Sequence, residues 1–151
     1  MQDHQQEFLE VLEGAVRRES PTEGDPNDLI ACRDYFAGLF REIGFHVTTV
    51  KSLDPRFADH LLVEYGAGAG RAAEELAQWL KTRGRFPVPQ WEPSVGGASR
   101  QLLFGGHYDT VHEKGIFGDS LWNIEGDHAI GPGILDMKSG DVQVYLIAKA
   151  F

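Results

Sequence analysis

LLFGGHYDTVHEKGIFGDSLWNIEGDHAIGPGILDMKSG, residues 102–140, is the stretch whose reading decides the fold. Its opening apolar run, Leu102, Leu103 and Phe104, predicts a strand covered on both faces, and Gly105 and Gly106 remove side-chain bulk where that strand ends. His107 emerges at the edge. In an extended chain Asp109 projects to the same face as His107 while Tyr108 points the other way, so a carboxylate can hold the imidazole. A metal-bound histidine normally gives its second ring nitrogen to a carboxylate or carbonyl, which fixes the tautomer and makes the coordinating nitrogen more basic. A lone His-x-Asp at a strand end is nevertheless most often a hydrogen-bonded surface pair. At the other end of the stretch, Gly131-Pro132-Gly133-Ile134-Leu135-Asp136-Met137-Lys138-Ser139-Gly140 is a glycine-rich turn leading to an acidic residue at the start of an apolar helix. Taken alone, Asp136 reads as an N-cap.

Together, with 29 residues from His107 to Asp136, the two motifs resemble the M20 zinc metallopeptidases, and in particular their glutamate carboxypeptidase-like branch. Members look like G-H-x-D-T-V followed by a short hairpin and G-x-G-x-x-D-x-K-x-G, and both strings occur here in that order. Residues 110–117, TVHEKGIF, look most like the carboxypeptidase branch. The resemblance implies an α/β fold, the N-terminal part of a zinc-peptidase catalytic domain with a mixed central sheet flanked by helices. It implies that His107 binds one zinc, that Asp136 bridges two, and that Asp109 serves the catalytic site by orienting His107. A cis peptide at Asp136-Met137, turning the carboxylate toward the metals, is implied as well. So are a small peptide or N-acyl amino acid as substrate, two Zn²⁺ per complete site, and a homodimer of the full-length protein.

These residue types suit a two-metal hydrolase. Imidazole and carboxylate are good zinc ligands, and a carboxylate has two oxygens with which to span ions roughly 3.5 to 4 Å apart, as a histidine cannot. The family's general base is a glutamate in a Glu-Glu pair beyond the bridging aspartate, and Phe151 precedes it. The apolar run from Val142 to Phe151 predicts a buried helix and ends without a glycine cap or polar tail. All 151 residues therefore read as the N-terminal portion of a longer protein, inactive on its own. The competing reading is a non-catalytic binding or interaction module that retains the fold.

Upstream, Phe8, Leu12, Ala15 and Val16 recur at helical spacing between residues 5 and 18, despite Gly14, which costs about 1 kcal/mol relative to alanine. Asp25 and Pro26 open a second helix whose stripe of Leu29, Cys32, Phe36, Leu39, Phe40 and Ile43 ends at Gly44. Residues 45–51 and 60–65 read as strands. Ser20-Pro21-Thr22 resembles a family signature near the site, although its plainer reading is a turn. Residues 65–73, YGAGAGRAA, mimic a dinucleotide fingerprint, but the prolines in residues 86–91, FPVPQW, rule out the strand such a fold needs next. Residues 66–100 are a longer connection than the family pattern leads one to expect, with a short helix over 72–81 that turns Leu76 and either Trp79 or Leu80 inward.

Charge excludes other functions. With 14 Lys and Arg against 23 Asp and Glu the net charge is −9, unsuited to nonspecific binding of nucleic acid or anionic membrane. Cys32, the single cysteine, lies on a core stripe and reads as a buried thiol rather than a nucleophile. No apolar run reaches the roughly 20 residues that span a bilayer, and the N-terminus MQDHQQEF lacks the regions of a signal peptide, so a cytoplasmic location is expected. His4, His46, His60, His112 and His128 have no place in the ligand pattern and are expected at the surface or in the hairpin.

Overall fold

A computed structural model describes residues 2–66, 69–82 and 102–151. It is a mixed α/β fold: α1 (Gln2–Val16), α2 (Pro26–Glu42), β1 (His46–Val50), β2 (His60–Glu64), α3 (Arg71–Thr82), β3 (Asn123–Glu125), β4 (His128–Ile130) and α4 (Ser139–Lys149). The strands form two antiparallel pairs, β1 with β2 in the register His46 to Glu64 and β3 with β4 in the register Asn123 to Ile130. The parallel component among the described residues is a single bridge between Pro21 and Thr110.

Helix α1 buries the stripe expected of it, with Leu12, Ala15 and Val16 almost wholly inaccessible. Gly14 lies against the Tyr35 side chain of α2: a Cβ there would collide with the Tyr35 hydroxyl, so close packing offsets the propensity cost. Asp25 caps α2 by accepting from the Asn27 amide at 2.8 Å, Pro26 takes the first helical position, and Gly44 (φ 88°) follows the helix in the left-handed region. Leu12, Ala15, Val16, Cys32, Phe36 and Val142 make one core from α1, α2 and α4. Val50, Ala73 and Leu80, with Leu62, Leu76 and Trp79 packed on them, make a second between the β1–β2 pair and α3, and both candidates for the inward position on α3 contribute. Cys32 is fully buried, and burial pushes its thiol pKa up, which keeps it protonated.

Two expectations change. Leu102, Leu103 and Phe104 form no strand: they are 65%, 85% and 48% exposed, because no described strand pairs with them and no helix covers them. Helix α4 buries Val142 and Tyr145 on one side, against α1 and α2, and leaves Ile147 exposed, as is Phe151 beyond it. Both segments have the apolar composition of a core without the neighbours that would bury all of it. No described helix is long and apolar enough to cross a membrane.

Candidate active site

His107 stands on the strap 102–109, which is exposed from Leu102 to His107 and half-buried at Tyr108 and Asp109, and Asp136 stands in a wide turn, Ile134–Lys138, that leads into α4. The turn begins after Gly133, whose φ of 73° demands glycine, and departs from helical geometry at Asp136 (φ −129°, ψ 96°) and Met137 (φ −134°, ψ 32°). The Asp136–Met137 peptide is cis, as expected. The two side chains meet, His107 Nε2 lying 3.0 Å from Asp136 Oδ1.

The other ring nitrogen faces Asp109 twice: Nδ1 is 3.0 Å from the Asp109 carbonyl oxygen and 3.3 Å from its carboxylate Oδ1. Tyr108 points the opposite way, packs on the helical core and donates from its hydroxyl to the Asp59 carbonyl. The alternation read from the sequence is therefore present in a segment that belongs to no sheet. Burial acts to lower the His107 pKa, but hydrogen bonds to Asp109 and Asp136, with both negative charges, outweigh it, and the net shift is upward.

Neither ligand candidate is held by burial. The polar residues beneath them are: Ser20, Thr110 and Lys138 are 0%, 2% and 0% exposed. The Lys138 ammonium donates to the carbonyls of Ala15 (3.1 Å) and Arg18 (2.8 Å) at the C-terminal end of α1, so it ties that end to the turn bearing Asp136. A Cβ on Gly133 would strike the Thr110 methyl, which places the turn directly against the strap. Ser20 Oγ donates to the Tyr108 carbonyl at 2.6 Å, the Thr110 amide to the Ser20 carbonyl at 2.8 Å, and the Thr22 amide to the Thr110 carbonyl at 2.9 Å. The Thr22 hydroxyl lies 2.7 Å from Asp109 Oδ2. Sequence reasoning favoured a plain turn for Ser20-Pro21-Thr22; a turn does follow, but the segment also pairs with the strap and reaches the site. Its resemblance to a family signature was the available signal.

Asp141, in the first turn of α4, was missed entirely. Its Oδ1 occupies the space a Cβ on Gly106 would need, and its Oδ2 is buried without a hydrogen-bond partner among the described residues. Burial pushes its pKa up to about 7 against the opposing pull of His107 and Lys138, with Asp109 adding to the rise. Of the remaining histidines, His4, His46, His60 and His128 are exposed and His112 packs edge-on to Phe117; none joins the site.

The donor set fits a cation in kind and falls short in number. With Nδ1–H donating to Asp109, the Nε2 lone pair of a neutral ring points at a carboxylate oxygen 3.0 Å away, and two facing lone pairs call for a proton or a cation between them. Both are zinc-ligand types. Among the described residues, however, no group of three or more His, Cys, Asp or Glu side chains is placed to hold a metal ion.

Comparison with known proteins gives a consistent direction. The chain is 30% identical over 142 residues, 94% of its length, to carboxypeptidase G2 of Pseudomonas sp. (strain RS-16). It spans 27% of the length of that curated relative. No family model matches it. The similarity supports a distant relation to a peptidase and, coarsely, a hydrolase.

Proposed function

We propose that this chain forms the N-terminal part of the catalytic domain of a two-zinc metallohydrolase that cleaves a peptide or acyl-amino-acid amide bond. The observation that carries this reading is the approach of His107 Nε2 to Asp136 Oδ1 from two separate segments, with Nδ1 committed to Asp109. The relative named carboxypeptidase G2 supports the reaction class. His107 would ligate one ion through Nε2 and Asp136 would lie between two. When bound, a zinc pair supplies a hydroxide near neutral pH and polarises the scissile carbonyl. Asp109 holds the proton on Nδ1 and so presents the basic lone pair on Nε2 toward Asp136. Further ligands and a general base would come from outside the described residues, since a catalytic zinc normally has three protein ligands and no third ligand candidate is grouped with these two among the described residues. The exposed apolar faces of the strap and of α4 suit packing against the remainder of such a domain, in a cytoplasmic, homodimeric protein.

Zinc calorimetry on the 151-residue chain, beside turnover on N-acylated amino acids, tests this. Weak zinc binding that is lost in His107→Ala and in Asp136→Asn, with no turnover, is the expected result; loss of a positioned general base alone typically costs 10² to 10⁴ in rate. Zinc binding indifferent to both substitutions would overturn the ligand roles. Two tightly bound zincs with turnover abolished in Asp136→Asn would show that the short chain holds a complete site.

A further inference from the structure

We propose that Thr22 is a positioning residue for His107, acting through the carboxylate of Asp109. The inference deepens the reading above and rests on it for the role of zinc. A carboxylate turns readily about its terminal torsion, which is broad and roughly two-fold, so a single contact to an imidazole leaves its plane loosely set. Asp109 is engaged on both oxygens: Oδ1 lies 3.3 Å from His107 Nδ1, and Oδ2 lies 2.7 Å from the Thr22 hydroxyl. The two contacts pull on opposite ends of one planar group.

Thr22 has one hydroxyl proton and two acceptors in reach, Asp109 Oδ2 at 2.7 Å and the Thr110 carbonyl at 3.1 Å. The shorter, charge-assisted bond to the carboxylate takes it. The hydroxyl is itself fixed in space, because the Thr22 amide donates to the Thr110 carbonyl and the Thr110 amide to the Ser20 carbonyl, which locks residues 20–22 alongside residue 110. Ser20, fully buried, adds its bond to the Tyr108 carbonyl. The reference point for the histidine thus lies 87 residues upstream of Asp109, between α1 and α2, and not on the exposed strap. With its plane fixed, Asp109 holds the negative charge of Oδ1 3.3 Å from Nδ1, beside the Asp109 carbonyl that accepts from that nitrogen, and this charge favours the proton on Nδ1 and the lone pair on Nε2.

The test compares Thr22→Val, which keeps the shape and loses the hydroxyl, with Thr22→Ser, which keeps the hydroxyl. Two quantities are read in the 151-residue chain: the tautomer of His107 from its ring ¹⁵N shifts, at a pH where the ring is neutral, and the zinc affinity by calorimetry. Thr22→Val is expected to mix the tautomers and weaken zinc binding about tenfold, at the low end of the cost of removing a group that supports a metal-bound histidine. Thr22→Ser should restore both. A wild-type tautomer and affinity in Thr22→Val overturns the proposal, as does a Thr22→Ser variant as impaired as Thr22→Val, which would assign the effect to the methyl. If Thr22→Val does not fold, the Thr22 hydroxyl proton of the unaltered chain decides: slow exchange with water supports the bond to Asp109, and fast exchange overturns it. Absence of zinc binding in the unaltered chain would sink the zinc reading, while the tautomer still reports on Thr22.

Discussion

The strap carrying His107 and the anchors beneath it are built on opposite terms. From Leu102 to His107 every residue is exposed, although the first three are strongly apolar; Ser20, Thr110 and Lys138, all polar, are buried to within 2%. The usual correspondence of apolar with inside is reversed over the few residues that matter most. Burial here locates the supports of the candidate ligands rather than the ligands, which need access to a cation and a substrate. The Ser20 hydroxyl and the Lys138 ammonium make their hydrogen bonds, whereas Thr110, whose buried hydroxyl has no partner among the described residues, is fixed through its backbone amide and carbonyl, so each anchor also fixes a direction.

The anchors should therefore be the costly positions, and Lys138 the costliest. Its ammonium serves two carbonyls at the end of α1, and its stem fills fully buried space beside Gly133. Lys138→Ala leaves both carbonyls without that donor and opens a cavity, offset in part because a buried charge no longer has to be desolvated. The expected net loss is about 3 kcal/mol, read as a shift of the urea midpoint. A loss under about 1 kcal/mol would mean that the turn bearing Asp136 is held by something other than α1.

Asp141 lies between the two regimes, and pH separates it from them. Its unfolded carboxyl ionises near pH 4, whereas the folded one, desolvated against Gly106 and facing Lys138, His107 and Asp109, keeps its proton up to about pH 7. Over that window the folded state binds more protons, so this group's contribution to stability is present below pH 4 and is lost as pH rises to about 7. Asp141→Asn removes the dependence. Discounted for the water that reaches part of the side chain, the variant should gain about 1 to 2 kcal/mol on the parent between pH 4 and pH 8. Denaturation curves of equal pH slope for the two proteins would show that Asp141 ionises normally.

Much of this was legible in the sequence where local rules suffice. Asp25-Pro26 and Gly44 bracket α2 because caps and left-handed turns depend on neighbours in the chain, and the alternation at residues 107–109 sets its side-chain directions without a sheet. The His107–Asp136 meeting was legible only through the paired motifs. Thr22 was legible only through the resemblance of Ser20-Pro21-Thr22 to a family signature, and Asp141 not at all, because each acquires its environment from a segment far away: Thr22 from Asp109, Asp141 from Gly106. The strand expected at residues 102–104 failed for a related reason. Apolar composition reports a capacity for burial, and a strand needs a partner in hand before that capacity is used.

Leu103 gives the smallest and sharpest contrast. A leucine in a strand covered on both faces would lose roughly 2 to 5 kcal/mol on truncation. At 85% exposure Leu103 has little apolar contact to lose, so Leu103→Ser should change the stability of the 151-residue chain by no more than about 0.5 kcal/mol. The same substitution removes apolar surface from the patch that Leu102 and Phe104 share, so it should also reduce self-association, measured by sedimentation over a range of concentrations. A stability loss above about 2 kcal/mol would mean that the strap is covered in solution and that its exposure, the basis of the contrast with the anchors, is not the state of the folded chain.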